Sequence, residues 1–185
     1  MAKQSQDLPL KVFLTQLGSQ KGAPGGGAAA ALTGATGYGL IEMVSRINDA
    51  KAKHPSGSAS RAESARRALQ GLIQKDADVF KNIQKAWKVR RSKKLLWQSA
   101  LKKGVAIPLR TAEICAHAAG LFLKEYPRTS VWLSSDLKEA RILLRAAFDA
   151  AELNVEINLK EISDKGFCAQ TRGKIKKWRR KLQRS

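Results

Sequence analysis

Apolar residues recur every three or four positions along nearly the whole chain, and convincing two-residue alternation is absent. This spacing is typical of amphipathic helices, whereas alternation is typical of strands. A first short helix is predicted over Leu10–Leu17 and ends at Gly18. A glycine turn at 25–27 then opens a long helix that runs to about Asn48. We therefore expect an all-α fold, arranged as an antiparallel helical bundle.

A third helix is predicted from about Ser60 to Lys88, after a loop at 52–60 that is rich in Pro, Gly and small polar residues. Apolar side chains at helical spacing mark one face of this helix, and we expect that face to be buried. The stripe consists of Ala65, Leu69, Leu72, Ile73, Ala77, Phe80, Ile83 and Trp87.

A fourth helical pattern follows a basic break at 88–94 and continues to about residue 123. Pro108 lies inside this pattern. Because proline has no backbone N–H and its ring crowds the preceding turn, we expect the helix to kink or restart there.

The loop before the last long pattern ends in Ser134, Ser135 and Asp136. These residue types are typical helix N-caps, and Glu139 completes the spacing of a capping box. The apolar positions that follow predict a helix over 137–162, with its buried face built from Leu137, Ala140, Leu144, Ala147, Ala151 and Val155.

Composition changes this picture mainly through charge. The 35 Lys and Arg residues exceed the 15 Asp and Glu residues by 20. Such an excess attracts polyanions such as nucleic acid, anionic membrane or polyanionic metabolites. Nine of the cations lie in 165–185, which has no acidic residue. This segment is either a solvated basic tail or an anion-docking segment with Trp178 interleaved. We therefore divide the chain into a helical domain over 1–164 and a basic tail over 165–185.

The remaining composition predicts a cytoplasmic protein of one domain. No apolar run approaches the ~18 residues of a membrane span, and the first residues lack the pattern of a secretory signal. Cys115 and Cys168 lie far apart without metal-ligand spacing, so we expect free thiols and no metal site. We expect His117, on an alanine-rich helix, to be a packing residue.

Three consecutive glycines, Gly25, Gly26 and Gly27, precede the second helix. Bare N–H groups at a helix start are able to approach a carboxylate, phosphate or oxyanion, although a plain flexible turn explains the glycines equally well. Neither standard nucleotide-binding glycine motif is present. The small residues that follow, Ala28, Ala31, Ala35 and Gly39, predict close helix packing within the subunit or across a dimer.

Several segments, taken in order, resemble the cyclodeaminase/cyclohydrolase family, the helical domain of formiminotransferase-cyclodeaminase. The stretch "FLTQLGSQKGAPGGGAAAALTGATGYGLIEMVSRI" resembles the opening of that family, which has a Pro-Gly-Gly-Gly turn that begins here at Pro24. "LIQKDADVFKNIQKA" resembles its Asp-x-x-x-Phe helix, and "ALKKGVAIPLRTAE" its alanine-to-proline helix. "SSDLKEARILLRAAFDAAELNVEINL" resembles its Ser-Asp segment and its Asn-Val-x-Ile-Asn ending.

This resemblance implies a helical bundle that pairs into a homodimer, with folate bound in a cleft near the interface. Family members convert 5-formimino-tetrahydrofolate to 5,10-methenyl-tetrahydrofolate with loss of ammonia, or interconvert the methenyl and 10-formyl forms by hydration. No metal or nucleotide cofactor is implied. Both reactions pass through a tetrahedral carbon between two folate nitrogens, so they need positioning and proton transfer.

The resemblance also nominates the site residues. Asp76 and Asp136 are the candidate acid or base, because a buried carboxylate with a raised pKa suits that task. A solvated helix face is the alternative for Asp76, and a helix cap is the alternative for Asp136. The candidate substrate-binding residues are Pro24, Gly25, Gly26, Gly27, Ser135, Asn154 and Asn158. The two asparagines share a helix face and could present amides to a pterin edge, or make helix-end hydrogen bonds.

Two departures from the family pattern keep a second function open. The loop over 125–135 carries Arg128 and Trp132 where the family has small polar residues, and the segment after Asp76 is strongly basic. Folate with a polyglutamate tail would be attracted by a basic surface, but +20 exceeds what a short polyanion requires. The alternative is a catalytically idle helical paralogue that binds nucleic acid or another large polyanion through its basic surface and tail.

Overall fold

The computed structural model describes residues 8–20 and 22–183 and contains six α-helices, which confirms the all-α prediction. No strand occurs in that part of the chain. The elements, in chain order, are α1 Leu10–Leu17, α2 Gly26–Ala50, α3 Ser58–Lys88, α4 Lys94–Glu125, a 3-10 turn Tyr126–Arg128, α5 Val131–Leu159 and α6 Lys165–Gln183.

Helices α2 to α5 form an antiparallel core. The start of α2 meets the late part of α3 at Ala28 and Asp76, whereas its last turns meet early α3 through the ion pair of Arg46 with Glu63. Late α5 likewise meets early α4, because Asn158 contacts Gly104. Each helix therefore buries its apolar stripe against its neighbours, and the amphipathic pattern of the sequence is explained.

Helix α2 lies at the centre of this core, where small residues allow close packing. Ala28 and Ala31 are fully buried and Ala35 is nearly so. A Cβ built on Gly37 would lie 2.7 Å from Cγ of Leu144, so a larger residue there would push α5 away. The predicted close packing of the small residues is therefore present within one subunit.

The structure excludes one predicted alternative for α4, the restart at Pro108, and corrects the predicted start of α5. Helix α4 continues from Lys94 to Glu125 across Pro108, so no new helix starts at the proline. Helix α5 begins at Val131 with Ser130 in the N-cap position, one turn before the predicted caps. Ser134 and Ser135 therefore lie inside the helix, where their hydroxyls donate to the carbonyl oxygens of Val131 and Trp132.

The segment that the sequence marks as a basic tail forms α6 over residues 165–183, and residues 184 and 185 lie outside the described part. One face of α6 packs on the bundle through Cys168, Thr171, Ile175 and Leu182. Arg172 and Arg179 tie it to α5 by ion pairs with Glu156 and with Asp149 and Glu152. Among the described helices, none has both the length and the apolar character to cross a membrane.

Candidate active site

The glycine turn and Asp76 meet at the start of α2. Gly25 occupies the N-cap position with an extended backbone, and Gly26 and Gly27 form the first helical turn. The Ala28 N–H, three positions after the cap, donates to Oδ2 of Asp76 at 3.0 Å. An N-cap side chain normally accepts this bond, but glycine has none. Asp76 therefore caps α2 from a different helix.

Gly27 is required for this contact. A Cβ built on it would lie 2.1 Å from Oδ1 of Asp76, which no pair of atoms tolerates. A Cβ on Gly26 would instead meet the Asn154 amide at 3.5 Å, an ordinary contact distance. The bare backbone at Gly27 thus admits a carboxylate, and that carboxylate belongs to the protein itself.

Asp76 also faces a cleft of about 250 Å³ between the start of α2 and helices α3, α4 and α5. Among the described residues that line it, Asp76 is the one with a charged side chain. The walls are partly apolar and partly polar, which is typical of a small-molecule site. They include Gly22, Gly25, Gly26, Gly27, Val79, Phe80, Ile83, Gly104, Pro108, Asn154, Ile157 and Asn158.

The environment of Asp76 raises its pKa above the ordinary aspartate value. Burial raises the pKa because it disfavours the charged form, and the hydrogen bond from the Ala28 N–H only partly opposes this. A carboxyl group that keeps its proton to higher pH is better suited to donate a proton as well as to accept one. The solvated-face alternative does not describe Asp76, which is half-buried and hydrogen-bonded.

The opposite wall of the cleft depends on Pro108. Proline lacks the N–H that would donate to the carbonyl four residues earlier, which is that of Gly104. Nδ2 of Asn158 instead approaches this oxygen at 3.4 Å and also donates to the carbonyl of Asn154 at 3.0 Å. Gly104 leaves space that Ile83 uses, because a Cβ there would lie 2.6 Å from Cδ1 of Ile83 and would require that side chain to move.

The two asparagines use their amide N–H groups on backbone carbonyls. Nδ2 of Asn154 donates to Ala150 at 2.8 Å, as that of Asn158 does within its own helix. Their amide oxygens point to the cleft, near the positions that side chains of Gly26 and Gly104 would occupy. With the Asp76 carboxylate, this wall presents hydrogen-bond acceptors to a ligand.

The structure brings together only some of the residues that the sequence nominates. Asp76, the three glycines, Asn154 and Asn158 line the cleft, and Pro24 lies buried behind the turn. Asp136 lies on the same side of α5 as Asn154 but eighteen residues earlier, about 27 Å away along the helix. Ser135 and Asp136 therefore do not reach the cleft of their own subunit.

The sequence alone did not identify Gly22, Gly104 and Ile157 as part of the cleft. For Gly104 a signal exists, because it lies four residues before Pro108 and so carries the carbonyl that proline leaves without a donor. The described residues hold no group of three or more His, Cys, Asp or Glu side chains that could bind a metal ion.

A second buried carboxylate lies at the other end of the bundle. Glu125 is fully buried at the end of α4. Nδ2 of Asn48 donates to it at 2.9 Å, and Arg128 forms an ion pair with it at 3.2 Å. Arg128 also pairs with Asp49 at 2.9 Å, so this departure from the family pattern completes a structural network away from the cleft.

The sequence and fold are similar to those of known proteins. The family model described as formiminotransferase-cyclodeaminase matches residues 9–177. A methenyltetrahydrofolate cyclohydrolase from Methylorubrum extorquens is 30% identical over 87% of this chain and 84% of its own length. A pig formimidoyltransferase-cyclodeaminase is 32% identical over 90% of this chain, which spans 33% of that protein. The crystal structure of formiminotetrahydrofolate cyclodeaminase from Thermotoga maritima superimposes on this chain with a TM-score of 0.89 at 30% sequence identity. The match covers 96% of this chain and 91% of that one.

Proposed function

The chain belongs to the formiminotransferase-cyclodeaminase family, and we propose on that premise that it turns over a tetrahydrofolate derivative in the cleft at Asp76. The reaction is methenyltetrahydrofolate hydration or formiminotetrahydrofolate deamination. The observation that carries the proposal is the Asp76 carboxyl group, which has a raised pKa, faces the cleft and is fixed by the Ala28 N–H.

One carboxyl group suffices for the proton transfers of either reaction. In hydration, the carboxylate accepts a proton from the water that attacks the methenyl carbon, and the resulting acid protonates N5 as its bond to carbon breaks. The hydroxyl group left on that carbon releases its proton to solvent and becomes the formyl carbonyl on N10. In deamination, it accepts the N10 proton as that nitrogen attacks the formimino carbon, and it protonates the departing ammonia. A pKa raised towards neutrality serves both halves of each cycle.

Asn154 and Asn158 are proposed to orient the pterin ring. Nδ2 of Asn158 approaches two backbone carbonyls and Nδ2 of Asn154 donates to one, so the amide oxygens are the acceptors that these side chains offer at the cleft. The pterin ring carries an amino group and ring N–H groups on one edge, which match acceptors and not donors. This support is geometric and concerns orientation, whereas proton transfer rests on Asp76.

A polyglutamate tail on the folate would leave the cleft along α3. Two hollows adjoin the cleft. The one of about 390 Å³ shares Val79 with the cleft wall, and the one of about 700 Å³ shares Ile83. Lys85 lines both hollows and Lys103 lines the smaller one. The basic stretch that follows Asp76 is therefore proposed to hold carboxylates of the tail. A Lys85→Gln/Lys103→Gln variant should raise KM for polyglutamylated substrate more than for the monoglutamate.

The outward face of α5 supports a homodimer. Ile142, Leu153 and Ile157 are each about two-thirds exposed or more and lie at helical spacing on one stripe. Ile157 also lines the cleft, so a second copy seated on this stripe would border the site. An exposed apolar stripe of this length in an all-helical protein is typical of a subunit interface.

A symmetric antiparallel pairing of α5 would also give Asp136 a route to the site. With Ile142 of each copy opposite Ile157 of the other, Asp136 of the second copy lies about five residues, roughly 8 Å along the axis, beyond Asn158. We keep Asp136 and Ser135 as proposed site residues on that basis. Sedimentation analysis of a Leu153→Lys variant tests the pairing: the dimer should dissociate, and wild-type protein that sediments as a monomer would refute it.

An absorbance assay with 5,10-methenyl-tetrahydrofolate and with 5-formimino-tetrahydrofolate tests the proposed function. Wild-type protein should turn over one of them, and Asp76→Asn should not. Asp78→Asn is the matched control, since Asp78 is exposed on the same helix. Failure of the wild-type dimer with both substrates would refute the function, and full activity of Asp76→Asn would refute the role of Asp76 alone.

The distribution of charge favours a second candidate function, the binding of nucleic acid or another large polyanion. The net charge is +20, yet no Lys or Arg lines the cleft among the residues described. Most of the excess therefore lies on surfaces that substrate turnover does not use. Retention of enzyme activity together with polyanion binding is compatible with both functions in one chain.

A further inference from the structure

A basic trough lies along α4, apart from the cleft. Two hollows of about 470 and 760 Å³ meet at His117 and Gly120, which line both. The first lies between α2, α3 and α4, and the second between α4 and α6. Between Arg110 and Lys124 the trough follows α4 for about 21 Å. None of the residues described in its walls lines the cleft.

The walls of this trough are cationic on both sides. Arg61 and Arg110 line the first hollow. Helix α6 contributes a cluster to the second: Lys176, Lys177, Arg180 and Lys181. In the part of α6 that the structure describes, the ion pairs are made by Arg172 and Arg179, so the cluster is not neutralised by partners. No acidic side chain is among the described residues of either wall.

The pKa of His117 responds to the positive charge of the trough. It was predicted to be a packing residue, but its side chain is exposed at the junction of the hollows. Burial of part of the ring and the charges of Lys181 and Arg110 lower its pKa, and Glu113 opposes them only partly because it is paired with Arg110. The charged form of His117 is disfavoured first by the burial of part of the ring and second by the neighbouring positive charges.

We propose that the α4–α6 trough binds the backbone of single-stranded nucleic acid. A groove with a cluster of cations on its α6 wall that make no ion pairs with the described residues, and with a floor of small residues, fits a chain of phosphates. Gly120 and Gly173 leave that floor open, since nothing lies within 4 Å of a Cβ built on either. An anionic membrane is flat and would not enter a groove. Trp178, half-buried in the wall, supplies an aromatic edge beside the cations.

The proposal is independent of substrate turnover at Asp76. The cations near the cleft, Lys85 and Lys103, are accounted for by the substrate tail, whereas the trough shares no wall with that site. Loss of nucleic-acid binding should therefore leave folate activity intact, and loss of folate activity should leave binding intact.

Fluorescence anisotropy with a labelled oligothymidylate of about 20 nucleotides tests the proposal. For wild-type protein, a plot of log affinity against log salt should have a slope of about −3, as expected for four or five phosphates at about −0.7 each. Lys177→Gln/Arg180→Gln should make that slope shallower by about 1.4 and weaken binding roughly tenfold or more at low salt. Thermal melting should be unchanged, since both side chains are exposed.

Lys93→Gln/Lys94→Gln is the matched control. It removes the same charge at the start of α4, about 24 Å along the helix from Arg110, and should leave affinity and slope nearly unchanged. Equal weakening in both double variants, or no binding by wild-type protein, would overturn the proposal. Displacement of the labelled oligonucleotide by hexaglutamate at a lower concentration than by unlabelled oligothymidylate would also overturn it, because the trough would then be a site for acidic peptides.

Discussion

The two ends of the bundle each hold a sequestered carboxylate, and the two are treated differently. Asp76 has one hydrogen bond from the protein, an open cleft beside it and a raised pKa. Glu125 has an amide donor and a guanidinium, with no cleft among those described beside it. Burial alone would raise the pKa of Glu125, but the bond from Asn48, the hydroxyl groups of Ser56 and Ser58 and the charge of Arg128 together outweigh burial and lower it.

This difference separates the carboxylate proposed to be catalytic from a structural one. A carboxylate that already accepts several hydrogen bonds is stabilised in its charged form and resists protonation. A carboxylate with few donors beside a cleft has acceptor positions left for a ligand. Burial is therefore a poor guide to function by itself, because Glu125 is the more buried of the two. The number of hydrogen-bond donors to the carboxylate and the presence of a cleft beside it distinguish the two roles.

Replacement of Asp76 should give the largest effect. Asp76→Asn keeps the size of the side chain but removes the group that transfers protons, so kcat should fall about 10²–10⁴-fold. The free energy of unfolding should change by less than about 1 kcal/mol, because an amide oxygen still accepts the Ala28 bond. Steady-state kinetics and urea denaturation measure the two quantities, and a folded variant with undiminished kcat would contradict the assignment of a catalytic role.

Replacement of Glu125 should reverse that pattern. Glu125→Ala leaves Asn48 and Arg128 without their buried partner, so the free energy of unfolding should fall by about 3 kcal/mol. Activity per folded molecule should be unchanged, because Glu125 lies at the far end of α2 from the cleft. Glu113→Ala, which removes a partly exposed carboxylate paired with Arg110, is the control and should cost less than about 1 kcal/mol.

Gly27→Ala should act on Asp76 without touching its chemistry. The new methyl group would displace the carboxylate, and a displacement of about 1 Å costs up to about 10²-fold in rate. Gly26→Ala, one residue earlier, should leave the Asp76 carboxylate in place and stability nearly unchanged, because its Cβ meets only ordinary contacts. Combining Gly27→Ala with Asp76→Asn should add little to the loss from Asp76→Asn. Independent, additive losses would show that Gly27 acts elsewhere.

The pH dependence of stability should have opposite signs for the two carboxylates. The raised pKa of Asp76 means that the folded state binds its proton first, so the free energy of unfolding falls as pH rises from the ordinary aspartate pKa through the raised one. The lowered pKa of Glu125 means that stability is lost as pH falls through the lowered value.

Urea denaturation across the range around pH ~4 distinguishes these contributions. Asp76→Asn should remove the decline on the alkaline side, and Glu125→Gln should remove the loss on the acid side. Identical pH profiles for wild type and either variant would contradict the corresponding pKa shift.

The helices followed from apolar periodicity because burial of one face decides helix position in a bundle. Leu10–Leu17 was predicted to the residue. The start of α5 was missed because serines and aspartate favour caps only when nothing upstream can continue the helix. Here "VWL" adds a further turn, and the serine hydroxyls return to the carbonyls behind them.

The site was harder to predict than the fold. The glycines and Asp76 lie about fifty residues apart, and periodicity gives no hint that a carboxylate from α3 would fill the bare start of α2. Family resemblance supplied Asp76, Asn154 and Asn158, whereas the Glu125 network involves three separate elements and has no local sequence signal. Contacts of this kind depend on tertiary geometry.

The cap that Asp76 provides links proton traffic to the mechanics of α2. An ionised carboxylate is favoured by the positive end of the helix, and a neutral one is favoured less. Each time Asp76 takes up a proton, its hydrogen bond with the first turn of α2 weakens, and each loss of the proton strengthens that bond. The start of α2, which forms one wall of the cleft, should therefore become less stable whenever Asp76 is protonated. The exchange rate of the Ala28 amide hydrogen, compared with those of its neighbours across the Asp76 titration, would measure this change.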